Sequence, residues 1–538
     1  MDRKESVAAL QAGSVFDILV VGGGATGSGI ALDAASRGLK TALVEMRDFA
    51  EGTSSRSTKM VHGGVRYLEK AVKRLDREQW ELVKEGLHER GIFLKNAPHL
   101  AAPLFFVTPL YSWIDVPQVF IGLKLYDWLS GKWSLGASSF LSKKEVLARF
   151  PMVNEKKLKG GVSYYDGQFN DVRMTLYLLK TAAKEGAVIA NHLEVVDLLK
   201  EEGKVVGALA KDCLTGEEFN IKARCVVNAT GPFTDGLRKM DEPDAEEMLK
   251  VSSGIHIVLD KRFAPPETGL MIPETEDGRV LFVIPWENHA IIGTTDEPDR
   301  VRERPEVSEE DIDYVLRHIN NYFTMGVTRA DIKAVWSGLR PLVMDPDKEN
   351  TQELARNHVM VKNSSGLVTI SGGKWTSYRR MAEELVDMVV KEFSLTHAGE
   401  CRTKELPIVG GAAYSADGFK HLVDTFSLEE DIAVHLNRFY GDQAAELAEL
   451  AKNEGYGARV HQDYPYIEAE IIHAVRKDMA IHAADMLIRR LPLGLLDFAA
   501  SKEAADRVIT LMAQETGWDA EMQAAEKALL LERLDKAV

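Results

Sequence analysis

Residues Phe16 to Glu45, FDILVVGGGATGSGIALDAASRGLKTALVE, constrain this chain more than any other stretch. Ile18 to Val21 is a short apolar run that predicts a buried strand. Gly22-x-Gly24-x-x-Gly27 follows, then a small-residue helix with Ile30, Ala31, Ala34 and Ala35. A second strand, Thr41 to Val44, ends on Glu45. This is a βαβ unit carrying the dinucleotide fingerprint in its required context. The glycines, with Ala25 and Thr26 between them, bring backbone N–H groups and a helix N-terminus close to a pyrophosphate. Glu45 stands about 20 residues beyond the glycines, where a ribose-binding carboxylate belongs. Read without its flanks, the glycine motif is equally a tight turn in some other α/β domain.

A chain of 538 residues exceeds what one core supports, so two or three domains are expected. The balance of 66 basic against 82 acidic side chains gives −16, which argues against general nucleic-acid binding. Cys213, Cys225 and Cys401 show neither metal-ligand spacing nor a disulfide framework, so a reducing cytoplasm and no metal are expected. The N-terminus lacks the apolar core of a signal peptide, and no run approaches the ~18 apolar residues of a spanning helix.

From Gly52 to Glu69, Thr53, Ser54, Ser55, Ser57 and Thr58 crowd hydroxyls ahead of His62-Gly63-Gly64. Such a loop suits a second phosphate-lining turn, and equally a solvated connector. Residues 70–100 predict one charged amphipathic helix ending before Pro98. From Leu104 to Trp133, eight aromatic residues interleave with Lys124 and Lys132. Two readings stand: an interfacial membrane contact, and a hydrophobic cap over an active site. Beyond, a helix from Met174 to Lys184 precedes strands at Ala187 to Ile189, Val205 to Ala210 and Cys225 to Val227. The last strand runs into Ala229-Thr230-Gly231. A strand-rich section covers Lys250 to Gly338, interrupted by a helix from about Ser308 to Phe323. Val368 to Ser371 then leads through Gly372-Gly373-Lys374-Trp375-Thr376 into a helix reaching Phe393. A Gly/Ala/Ser-rich linker and a helical region follow, with a capping box expected at Ser427-x-x-Glu430 and helices near 443–453, 467–488 and 498–516. His473 and His482 fall on different helix faces, so they suggest no metal site.

The fingerprint together with TSSRSTKMVHGGVRYLE resembles the FAD-dependent glycerol-3-phosphate dehydrogenases, within the flavoprotein group that includes D-amino-acid oxidase. The resemblance continues through Pro285-Trp286, Gly293-Thr294-Thr295-Asp296 and Trp336-Ser337-Gly338-Leu339-Arg340-Pro341-Leu342, and more loosely through Asp485-Met486-Leu487-Ile488-Arg489-Arg490. It implies an α/β protein: a Rossmann-like FAD-binding domain, an antiparallel-sheet substrate or cap domain, and a C-terminal all-helical domain. The expected boundaries are 1–80, 155–250 and 335–394 for the FAD domain, and 81–154 and 251–334 for the cap. Residues 395–418 are the expected linker and 419–538 the helical domain.

The same resemblance implies the chemistry. FAD is the cofactor, held by Gly22, Gly24, Ala25, Thr26, Gly27, Glu45, Thr53, Ser54, Ser55, His62, Gly63, Gly64, Thr230, Gly231, Gly373, Lys374 and Thr376. Glycerol 3-phosphate is the substrate, and its dianionic head calls for guanidinium and ammonium donors. Arg66, Arg340, Arg356 and Lys374 match the family's wording and supply them, Tyr67 supplies a hydroxyl, and His62 is the candidate base. His62 has a second reading, as a loop-fixing or flavin-contacting residue. Electrons are expected to pass to a membrane quinone, from a cytoplasmic protein seated peripherally on the inner membrane; a homodimer is compatible with this. Two other functions stay open: an oxidase of the same fold that uses oxygen, and a noncatalytic nucleotide-binding protein whose helical domain recruits partners.

Overall fold

The computed structural model describes residues 1–64, 77–273, 275–276, 278–344 and 358–536. Its first sheet is built on the strand Phe16–Val21, every residue of which is buried. That strand pairs in parallel with Thr41–Val44 on one side and Glu218–Asn228 on the other. The full order is His358–Lys362, Val368–Gly372, Glu218–Asn228, Phe16–Val21, Thr41–Val44, Val188–Ala190. A strand buried on both faces favours a continuous apolar run, here Ile18 to Val21, while Asp17 at its start is satisfied by the Lys40 N–H and His397. Helices Ala25–Ser36, Asp171–Lys184 and Tyr378–Glu392 bury their apolar faces in the core behind this sheet.

The second sheet runs Glu297–Asp299, Leu249–Asp260, His289–Gly293, Leu281–Trp286, Thr268–Ile272, Ala101–Leu110, Gly160–Phe169, Met60–Val61. Ile332–Val343 joins it on Leu249–Asp260. Its described pairings are antiparallel except that between Thr268–Ile272 and Ala101–Leu110. The expected boundaries therefore shift. The short strand Met60–Val61, within the expected segment 1–80, joins the second sheet. Gly160–Phe169 and residues 335–343, also assigned above to the FAD domain, are strands of the second sheet. Each is placed by a long antiparallel ladder, ten residue pairs in the case of Gly160–Phe169 with Ala101–Leu110, and partner choice leaves no mark on a strand's own periodicity.

Residues 395–418 are also more than a linker. Leu395 and Ile408 are fully buried in the core of the first sheet, and Val409 N–H donates to Thr181 Oγ1. The expected capping box fails: Ser427 has φ +58° and closes the helix Gly418–Phe426, while the next helix, Glu430–Tyr440, begins after Glu429. The expected helix over 467–488 splits as well. Glu468–Lys477 stops at Asp478, Met479 has positive φ, and a wide turn of helix resumes at Asp485–Arg490. The charged helix foreseen over 70–100 is described over Arg77–Asn96. A strand at Leu193–Glu201 and a final helix at Ala520–Asp535 went unforeseen.

The aromatic stretch divides by face. The helix Asp115–Ser130 buries Leu123 and Tyr126 against the second sheet and the helix Arg77–Asn96. Its outer side, with the turn before it, exposes Trp113 (59%), Ile114 (86%), Ile121 (65%) and Trp128 (71%). The cap reading and the surface reading thus apply to opposite sides of one helix. The C-terminal helices pack on the second sheet directly, where Trp336, Trp286 and Val258 share a core with Tyr466, Leu487 and Leu496.

Candidate active site

The fingerprint turn is crowded where a side chain would point. A Cβ at Gly22 (φ +115°) would lie 2.5 Å from the Ala229 carbonyl oxygen, and one at Gly24 would lie 2.9 Å from Ser54 Oγ. At Gly27 it would meet the Gly22 oxygen at 1.9 Å, so only glycine lets the helix pack this close to the strand. The helix opens with Gly24 as its cap and no side-chain acceptor of its own; Ser54 Oγ takes the Ala25 N–H at 2.9 Å. Glu45 accepts from Gly23 N (2.6 Å) and Arg47 N (2.9 Å). Burial raises its pKa, and these two donors oppose the rise.

A cavity of about 380 Å³ opens on this turn. It is lined by Gly22, Gly24, Ala25, Thr26, Glu45, Thr53, Ser54, Thr230, Gly231, Gly373 and Lys374, contributed by five separate stretches of the chain. Gly27, Ser55, His62, Gly63, Gly64 and Thr376 stand outside this lining. Backbone amides at a helix start, an acid at the second strand end and glycines that a methyl group would block are what a dinucleotide requires, and these residues fit FAD.

The hydroxyl loop is a hub and not a solvated connector. Thr53 Oγ1 donates to the Leu339 carbonyl (2.5 Å), and Trp375 Nε1 donates to the Ser54 carbonyl (3.0 Å). Lys59 is wholly buried; its ammonium pairs with Asp171 at 2.6 Å and lies 5.0 Å from the ring centres of both Trp286 and Trp336. Thr376 Oγ1 accepts the His62 N–H (3.1 Å) and lies 3.2 Å from the His62 carbonyl. The loop is thereby tied to the second sheet, to the helix Asp171–Lys184 and to the turn that opens the helix Tyr378–Glu392.

Arg340 sits in a built socket. Nη1 donates to Ser253 O (3.2 Å) and Asp296 Oδ1 (3.0 Å), and Nη2 to Thr294 Oγ1 (2.8 Å) and Thr295 O (2.9 Å). The side chain is 20% exposed. Gly254 makes the space, since a Cβ there would lie 2.3 Å from Nη2. His256, two residues on, escaped the sequence reading. It is buried, stacks on Trp336 at 4.3 Å and lies 3.0 Å from Thr58 Oγ1. Burial, then Arg340 and Lys59, hold its pKa well below the usual histidine value, so the ring is neutral. The signal available was one histidine in the apolar run Ile255 to Leu259. Arg66, Tyr67 and Arg356 lie outside the described residues.

The Asp485-to-Arg490 segment proves structural. Asp48 accepts from Arg489 Nε (2.5 Å) and from Arg490 Nη1 (2.6 Å) and Nη2 (2.8 Å), all buried, joining the C-terminal helices to the fingerprint domain. Asp48, His192 and Asp485 bring potential ligand atoms within 4.8 Å of one another, but the guanidinium groups already hold those carboxylates.

Comparison with known proteins agrees with the fold and with FAD as the cofactor. Residues 17–379 match the model of the FAD dependent oxidoreductase family (DAO), and residues 401–523 that of the C-terminal domain of alpha-glycerophosphate oxidase. The mitochondrial glycerol-3-phosphate dehydrogenase of Mesocricetus auratus is 49% identical over 553 residues, covering 99% of this chain and 76% of the relative. The human protein of the same name is 49% identical over 530 residues, covering 96% and 73%. A crystal structure of the glycerol-3-phosphate dehydrogenase from Bacillus halodurans complexed with FAD superposes with a TM-score of 0.81 at 32% identity, over 99% of this chain and 97% of that one.

Proposed function

The chain belongs to the FAD dependent oxidoreductase family, and from that premise we propose that it oxidises sn-glycerol 3-phosphate to dihydroxyacetone phosphate and passes the electrons to a membrane quinone. Bound FAD supplies the acceptor for the hydride that leaves carbon two of the alcohol. The chain's own groups do the rest. Amides of the fingerprint turn and the Ser54 hydroxyl would hold the cofactor's pyrophosphate, with Gly373 and Lys374 lining the same cavity. By the family resemblance, Arg340 and Arg356 serve the substrate's oxygens or phosphate, Arg66 and Lys374 serve the flavin, and Tyr67 supplies a hydrogen bond. A guanidinium stays protonated, with a pKa above about 12, so it binds and orients but does not take the proton. His62 takes the hydroxyl proton.

The observation that carries this reading is the Arg340 socket. Four acceptors, one from the strand Leu249–Asp260 and three from the Thr294-to-Asp296 turn, fix one guanidinium. A planar donor fixed in advance binds a dianion without the entropy cost of ordering a free side chain. Membrane delivery is supported by the outer face of Asp115–Ser130, where Trp113, Ile114, Ile121 and Trp128 stand exposed and Lys124 and Lys132 flank them. Aromatic rings beside lysines suit the headgroup level. No helix among the described residues is long and apolar enough to cross a membrane.

The test is a screen under anaerobic conditions of the FAD-loaded protein with glycerol 3-phosphate, D-amino acids and 2-hydroxy acids. Bleaching of the yellow colour by glycerol 3-phosphate alone is expected. Bleaching by an amino acid instead, or by nothing, refutes the substrate assignment. Admitting air afterwards separates dehydrogenase from oxidase, since prompt recovery of colour with peroxide marks the oxidase.

A further inference from the structure

We propose that Tyr126 is a positioning residue for the reaction: its hydroxyl, aimed by Asp166 and Arg90, fixes the peptide unit that carries His62. The inference rests on the reading of His62 as the group beside the reacting alcohol.

The hydrogen bonds allow one arrangement of protons. Gly63 N–H can only donate, and it reaches Tyr126 Oη at 2.8 Å. The phenol's single proton then goes to Asp166, 3.0 Å from Oδ1 and 3.2 Å from Oδ2. Arg90 Nη1 holds Asp166 Oδ1 at 2.6 Å, and Nη2 reaches Ser130 Oγ and the Trp133 carbonyl beyond the end of the same helix. Tyr126, Asp166 and Arg90 are each 1% exposed. Burial, and next the Asp166 carboxylate, push the phenol's pKa well above its usual value, so it remains a donor across the working pH range.

The other end of the same peptide unit is held from a different direction. The carbonyl of His62 is 3.2 Å from Thr376 Oγ1, which also takes the His62 N–H. A peptide plane is rigid, so anchoring its C=O by Thr376 and its N–H by Tyr126 fixes ψ of His62 and with it the direction of the Cα–Cβ bond. Nothing at position 63 loosens this clamp. A Cβ there would meet Leu87 Cγ at 2.5 Å and Tyr126 Oη at 2.9 Å, so the close seat depends on glycine. A buried Arg–Asp–Tyr group is weak as a source of stability, because desolvation offsets most of its attraction. Its direct consequence is orientation.

The test compares the full-length, FAD-loaded protein with Tyr126→Phe, which keeps the ring and removes the hydroxyl. Hydrogen exchange of a peptide spanning residues 58–64, read by mass spectrometry, should accelerate about tenfold as the Gly63 amide loses its acceptor. FAD content should be unchanged. The rate of bleaching by saturating glycerol 3-phosphate should fall about tenfold, with the substrate concentration for half-maximal rate altered less than about threefold. The pH profile of bleaching should shift, which a stability defect alone does not produce. Parent exchange, or faster exchange with a parent rate and pH profile, overturns the proposal. Should Tyr126→Phe lose its FAD, Asp166→Asn keeps a neutral acceptor for the hydroxyl while also taking the carboxylate from buried Arg90, and should give both changes at about threefold or more. A folded Asp166→Asn with parent exchange and rate likewise overturns it. A parent protein that glycerol 3-phosphate does not bleach sinks the substrate reading instead, and the exchange measurement still reports on the clamp.

Discussion

Replacing Gly254 by alanine tests the substrate site without touching a charged group. Gly254 lies in the extended strand Leu249–Asp260 opposite Gly338, so alanine is sterically allowed by the backbone. Its methyl group, however, would sit 2.3 Å from Arg340 Nη2, 2.6 Å from Nη1 and 2.4 Å from the Thr295 carbonyl. Non-bonded carbon contacts settle near about 3.5 Å, so something must move by about 1 Å. The Thr295 carbonyl is backbone in the short turn between two paired strands and yields little; the guanidinium yields, breaking its bonds to Thr294 and Thr295. A misplacement of about 1 Å at a substrate-positioning group costs about 100-fold, or about 2.8 kcal/mol of transition-state stabilisation. Overpacking adds a stability loss of about 1–3 kcal/mol. The fingerprint cavity is lined by other residues, so FAD content should equal the parent's. The assay is anaerobic stopped-flow bleaching by glycerol 3-phosphate, with FAD occupancy and melting temperature measured on the same samples. A Gly254→Ala protein that keeps its FAD and a kcat/KM within about threefold of the parent would show that the socket does not serve the reaction.

Three further outcomes follow from the same geometry. Arg340→Ala should keep FAD and lose most substrate affinity; an unchanged affinity removes Arg340 from the site. Stability should fall as pH drops below about 6.5, because burial and then Arg173 hold His99 down at about 3, whereas the unfolded chain takes up that proton near 6.5. Between pH 6.5 and 5 this amounts to about 2 kcal/mol. Below pH 4.5 Glu51 adds to it: burial alone would raise this carboxyl, but Arg489 and Arg533 hold it at about 2, so its contribution is present above 4.5 and lost as pH falls toward 2. Melting temperatures of the parent and His99→Gln across pH 4.5–7 check the first window, and identical slopes would refute it. Finally, the double variant Trp113→Ser, Trp128→Ser should release the protein from anionic lipid vesicles in a flotation assay while leaving bleaching in solution intact; undiminished flotation would move the membrane seat elsewhere.

The parts of this molecule legible in the sequence are those whose reasons are local. The fingerprint turn announces itself within about 30 residues, because three glycines, a buried strand before them and an acid after the next strand must all serve one pyrophosphate. The helix Glu309–Tyr322, with Ser308 as its cap and acids in its first turn, is equally local. The motif likeness then singled out Arg340 and Lys374 because their neighbours in the chain identify them.

Tertiary structure alone decided how those pieces meet. Gly160–Phe169 and Ile332–Val343 joined the second sheet through pairing with strands far away in the chain. Ser427 closes one helix and does not open the next, a choice settled by its left-handed backbone. The aromatic stretch needed a folded neighbour before its inner face, with Tyr126 on Gly63, could be told from its outer face. His256 and the acceptors around Arg340 lie some 40 to 90 positions from the side chains they attend. Local propensity and periodicity record what a residue does for its own turn or strand. A hydrogen bond between distant segments depends on which surfaces the packing brings together, and only the closed fold determines that.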